Sequence, residues 1–63
     1  MDGTHRTNIK IGAHVKVVRK RDQRTGRLTE GVVQAILTKS DSHPHGIKVR
    51  LESGEVGRVK EIL

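Results

Sequence analysis

A chain of 63 residues without Cys, Phe, Tyr or Trp is bounded to one small domain that buries roughly 60% of its unfolded surface. Its core must come from Val, Ile, Leu and Ala, with no disulfide or thiolate–metal support. Its 13 Lys and Arg against 7 Asp and Glu leave a formal net charge of +6, which favours polyanions as partners: nucleic acid first, then an anionic membrane surface or an acidic protein. No apolar run approaches the about 18 residues that span a bilayer. The segment Met1 to Asn8 has no apolar stretch of the kind a secretory signal carries. The expectation is a cytoplasmic protein that does not enter membranes.

Residues 1–8 read as a flexible polar arm and residues 9–63 as a single domain. Ile9 and Ile11 open a two-residue alternation that continues through Val15 and Val17, with Gly12 marking a bend. The first strand is expected over His14–Lys20, with Val15, Val17 and Arg19 on one face. Val18 is the apolar exception on the other face, to be covered by the arm. Residues 21–28 form a loop, in which the Asp22 side chain can accept from nearby amides and Gly26 can take a left-handed conformation.

A second strand is expected over Thr29–Thr38. Its apolar residues Val32, Val33, Ala35, Ile36 and Leu37 do not alternate cleanly, which places a bulge near Gln34-Ala35. A polar loop follows to Gly46. Ile47, Val49 and Leu51 alternate with Lys48 and Arg50, the pattern of a strand with one face in a core. Ser53-Gly54 then reads as a two-residue turn, and Glu55–Val59 as the returning strand. In that register Val49 would face Arg58, so a bulge at Gly57 is expected, to restore Val59 to the apolar face. The tail to Leu63 continues as a short strand or one helical turn. Short strands and glycine turns in so small a chain predict an all-β, SH3-like barrel of four to five antiparallel strands, acting as a monomer.

Two basic sets stand out. Lys16, Arg19, Lys20, Arg21, Arg24 and Arg27 cluster at the end of the first strand and over the following loop, with only Asp22 against them. Lys48, Arg50, Arg58 and Lys60 lie on the C-terminal hairpin, offset at its tip by Glu52 and Glu55. Such sets can hold several phosphates and release their counterions. The absence of aromatic side chains argues against recognition by base stacking and for backbone and shape contacts. The nucleic-acid contacts are therefore assigned to Lys16, Arg19, Lys20, Arg21, Arg24, Arg27, Lys48, Arg50 and Arg58, with RNA or ribosome preferred over DNA. His43 and His45 are auxiliary contacts that strengthen below about pH 6.5.

Nothing points to catalysis. There is no Cys nucleophile, no phosphate-binding glycine loop and no suggestive carboxylate pair. Ser40, Ser42 and His43 are near in sequence but lack an evident orienting group or pocket. His43-Pro44-His45 supplies two histidines where zinc needs about four ligands, so no metal and no cofactor is assigned, and Pro44 reads as a rigid launch for the next strand. The rival to nucleic-acid binding is an adaptor in which the Gln23-to-Leu28 loop and the His-Pro-His loop form a groove for an acidic or proline-rich peptide.

The strings Asp22-Gln23-Arg24-Thr25-Gly26-Arg27-Leu28-Thr29-Glu30-Gly31-Val32-Val33, Ile36-Leu37-Thr38, His43-Pro44-His45-Gly46-Ile47-Lys48-Val49-Arg50-Leu51 and Val56-Gly57-Arg58-Val59-Lys60 resemble the uncharacterised YwbE-like family of short prokaryotic proteins. The resemblance implies a bacterial or archaeal cytosolic origin and carries over no functional residue. Gly12-Ala13-His14-Val15-Lys16-Val17-Val18 with Gly31-Val32-Val33 is more loosely similar to KOW-type SH3-like modules of ribosomal proteins and elongation factors. That likeness implies RNA or ribosome contact by analogy.

Overall fold

Four strands carry the fold: β1 (His14–Arg19), β2 (Thr29–Ile36), β3 (Lys48–Leu51) and β4 (Val56–Ile62). The computed structural model describes residues 4–63. The strands pair antiparallel in the order β1-β2-β3-β4, and β1 returns to β4, closing a barrel. Closure leaves every strand with two partners, so no strand edge is left open to pair with another chain. This is the small SH3-like barrel the pattern predicts. Its C-terminal segment is strand to Ile62, so the helical alternative for the tail does not form.

The interior is aliphatic. Ile9, Val15, Val17, Val33, Ile47, Val49, Leu51 and Val59 are buried together, with Ala13, Ile36 and Ile62 packed against them. The alternation in β3, with Val49 and Leu51 inside and Lys48 and Arg50 outside, is the two-residue period made visible. In β2 the register with β3 slips between Val33 and Ala35. Gln34 is the extra residue, and the slip turns both Val33 and Ile36 toward the core. The bulge expected near Gln34-Ala35 is therefore present.

The β3–β4 hairpin corrects one expectation. Lys48 pairs with Arg58, Val49 with Gly57 and Arg50 with Val56, and the Leu51 amide donates to the Glu55 carbonyl. The connection is thus the three residues Glu52, Ser53 and Gly54, closed by the Gly54 amide on the Leu51 carbonyl at 2.8 Å. Gly54 has φ +94° and absorbs the additional residue. Val49 then faces Gly57 rather than Arg58, and Ile47 bonds the Val59 amide, so no bulge is needed at Gly57. Gly57 serves another purpose: a Cβ there would stand 2.7 Å from the Val18 carbonyl oxygen, and only glycine permits that approach of β4 to β1. The β4 slip falls instead at Lys60, which is left unpaired between Val59 opposite Val17 and Glu61 opposite Lys16.

The described part of the N-terminal segment makes backbone contacts with residues 41–43. Met1, Asp2 and Gly3 lie outside the described residues. Arg6–Asn8 forms a 3₁₀ turn. The Arg6 amide donates to the Asp41 carbonyl, the His43 amide donates to the Thr4 carbonyl, and His5 bridges Ser42. Ile9 plugs the core at 3% exposure, whereas Ile11 is exposed because Lys10–Ala13 is a turn that breaks the alternation.

Candidate nucleic-acid interface

The outer face of β3, β4 and β1 collects the cations. Lys48, Arg58 and Val18 lie in one row across the three strands, since Arg58 is opposite Lys48 on one side and Val18 on the other. Two adjoining clefts open on this row. One, of about 720 Å³, is lined by Val18, Gln23, Gly26, Leu28, His45, Arg58 and Lys60. The other, of about 470 Å³, is lined by Val18, Lys20, Gln23, Lys48, Val56, Gly57 and Arg58. They share Val18, Gln23 and Arg58. Lys20 from the first basic set and Lys48 and Arg58 from the second thus border one depression.

The 20–28 loop forms a wall of both clefts, and Arg19 holds it there. The guanidinium donates through Nε to Asp22 Oδ2 at 3.0 Å and through a terminal nitrogen to the Glu55 carboxylate. The Asp22 bond is the largest cause of a raised Arg19 pKa, which burial opposes and Glu55 reinforces. Arg19 thereby joins the loop to the tip of the β3–β4 hairpin. The Asp22 side chain receives Arg19 and not the amides expected of it. Those amides, from Thr25 and Gly26, go to the Asp22 carbonyl, with Gly26 at φ +74°. Val18 sits in the floor of both clefts, bordered by the 20–28 loop rather than by the N-terminal arm, and is 6% exposed.

The remaining candidates divide by their acid partners. Lys16 stands across from Glu30 and Glu61, with its ammonium 4.0 Å from the Glu61 carboxylate. Lys20, Arg21, Arg24, Arg27, Lys48, Arg50 and Arg58 form no ion pair with a carboxylate among the described residues. Arg21, Arg24 and Arg27 are exposed along the loop that walls the clefts. Arg50 is exposed opposite Val56, outside both cleft linings.

Arg58 and Lys60 are aimed by the loop before β3. A terminal nitrogen of Arg58 donates to the Gly46 carbonyl at 3.1 Å, and Lys60 Nζ donates to the His45 carbonyl at 2.9 Å. Each keeps further N–H groups free for an anion. Lys60 reaches this position as the extra residue of the β4 bulge, which re-aims its side chain. The loop itself is braced by the His45 amide donating to His43 Nδ1 at 3.1 Å. Burial first, and then the charges of Arg58 and His45, lower the His43 pKa from its usual 6.5. Of the two histidines, only His45 lines a cleft. Among the described residues no His, Asp and Glu cluster could hold a metal ion, and no helix is long and apolar enough to cross a membrane.

The larger cleft is lined by Gln23, Gly26 and Leu28 of the 20–28 loop and by His45 of the His-Pro-His loop. Val18 and Lys60 both line the larger cleft, although by sequence Val18 stands only as an apolar exception and Lys60 as a member of the second basic set, neither assigned to the site. Val18 was legible as an apolar residue on a wet face, whereas the placement of Lys60 depends on cross-strand register.

Residues 2–62 match the family described as "Uncharacterized conserved protein (DUF2196)". The chain is 56% identical over 63 residues to "Uncharacterized protein YwbE" of Bacillus subtilis (strain 168), covering 100% of this chain and 97% of that protein. No solved structure matches significantly.

Proposed function

The chain belongs to the uncharacterised conserved family of Bacillus subtilis YwbE, and from the surface described above we propose that it is a nucleic-acid-binding barrel, not an enzyme, which acts as a cytoplasmic monomer on RNA in preference to DNA. One observation carries the reading. Four of the six described acids, Asp22, Glu30, Glu55 and Glu61, are engaged by Arg19, His14 and Lys16, Asp41 and Glu52 line neither cleft, and Lys20, Lys48 and Arg58 border the clefts with no acid partner among the described residues. A surface that gathers cations and withholds their counter-charges suits a phosphate backbone.

An acidic peptide is the competing occupant. A proline-rich peptide is disfavoured, because such segments dock on grooves lined by Tyr, Trp and Phe and this chain has none of them. The test is an anisotropy titration of labelled single-stranded RNA, with matched DNA and polyglutamate as competitors. Displacement by nucleic acid but not by polyglutamate supports the reading. Equal displacement by polyglutamate, or no RNA binding at low salt, overturns it.

A further inference from the structure

We propose that the larger cleft seats one unpaired nucleobase, covered on its apolar side by Val18 and Leu28 and hydrogen-bonded at its edge by the Gln23 carboxamide, with a neighbouring phosphate on Arg58 and Lys60. The inference rests on the nucleic-acid reading above and adds a subsite for the base to contacts that otherwise involve only the backbone.

The cleft has the volume of a small-ligand site, about 720 Å³. Its chemistry is divided. Val18 forms an aliphatic floor, and Leu28 is a large apolar side chain left 38% exposed on an otherwise basic surface. Contact with a flat base would remove that surface from water. Arg58 and Lys60, in the same lining, are each oriented by one bond to the His45–Gly46 backbone and keep donors for an anion. Gln23 lines the same cleft, and its carboxamide makes no hydrogen bond within the protein among the described residues. A carboxamide offers donors beside an acceptor, which is what the edge of an unpaired base requires. A base stacked in a duplex cannot reach such a recess, so the ligand is single-stranded.

The wall carrying Gln23 and Leu28 is fixed to the barrel at its start by the Arg19–Asp22 and Arg19–Glu55 bonds, so part of its ordering precedes binding. With no Phe, Tyr or Trp in the protein, this aliphatic seat, with the His45 ring at the same cleft, takes the role that stacking platforms fill elsewhere.

The test uses the full chain labelled with ¹⁵N and ¹³C, titrated with a short single-stranded RNA and with an abasic ribose-phosphate oligomer of the same length. The RNA is expected to shift the Gln23 side-chain NH₂ and the Leu28 methyl signals together with Arg58 and Lys60. The abasic oligomer is expected to shift Arg58 and Lys60 and the other phosphate-holding cations, but neither the Gln23 side chain nor the Leu28 methyls. Leu28→Ala and Gln23→Ala, both at exposed positions, should weaken RNA binding by roughly tenfold and leave affinity for the abasic oligomer unchanged. RNA and abasic oligomer binding equally, with Gln23 and Leu28 unmoved, would overturn the base seat and leave the backbone reading standing. Failure of both to bind would overturn both.

Discussion

Lys48 and Arg58 stand directly opposite each other across β3 and β4, two cations in one cross-strand pair with no carboxylate bonded to either among the described residues. Like charges so placed destabilise a sheet. Arg58 turns part of its charge onto the Gly46 carbonyl, but the repulsion remains a cost of the fold that an anion bound at this face would remove.

Stability and binding should therefore move in opposite directions at Lys48. Lys48→Glu places a carboxylate opposite Arg58 and is expected to stabilise the barrel by roughly 0.2–1 kcal/mol at low salt, while RNA affinity falls. Urea unfolding followed by circular dichroism measures the first effect, and anisotropy the second. A variant destabilised beyond error would show that the pair is not under strain.

The glycines make a graded prediction. Gly57→Ala drives a Cβ to 2.7 Å from the Val18 carbonyl oxygen and 2.9 Å from Val17 Cγ2, and should cost about 2–3 kcal/mol. Gly54→Ala meets open space and carries only the strain of φ +94°, about 1 kcal/mol. Gly46→Ala combines φ +103° with a collision on the Val59 carbonyl and should be the most damaging of the three. The order of their thermal midpoints tests the closeness of β4 to β1 and to the loop before β3.

Where local chemistry decides the structure, the sequence was readable. The alternation of Ile47, Val49 and Leu51 gave β3, and the broken pattern around Gln34 gave the β2 bulge. The hairpin register is not legible locally, because Gly54 satisfies a two-residue turn and the third place of a three-residue turn equally well, and only pairing with β4 distinguishes them. The same limit keeps Lys60, a member of the second basic set, out of the contacts assigned from sequence. Its arrival at the cleft follows from the slip against β1, a relation between residues far apart in the chain. Arg19 read as one more cation, because its second acid, Glu55, comes from the other end of the sequence.

Arg19 should therefore behave as a positioning residue. Glu55→Gln or Asp22→Asn removes one side of its bridge and should speed amide exchange across residues 20–28 while β2 and β3 stay protected. Uniform loss of protection would mean that the bridge supports the whole barrel rather than this wall.

Acidification should loosen the loop before β3. The folded state lowers the His43 pKa from 6.5 through burial and the nearby charges of Arg58 and His45, so it binds the proton less readily than the unfolded chain. The contribution is complete above about pH 6.5 and is lost as pH falls through the folded His43 pKa. Protonation also removes the Nδ1 lone pair that accepts from the His45 amide. An NMR titration of the His43 ring should give a midpoint below 6.5, with the His45 amide signal shifting in step. A midpoint at or above 6.5 contradicts this account.

The measurement closest to the central claim is the dependence of RNA affinity on salt, by anisotropy, for the native protein and for Lys48→Ala/Arg58→Ala. If these cations hold phosphates, log affinity should fall linearly with log salt, and the double variant should have a slope shallower by about 1.4, corresponding to two single-strand phosphate contacts. An unchanged slope and affinity in a folded double variant would contradict the assignment of this face to nucleic acid.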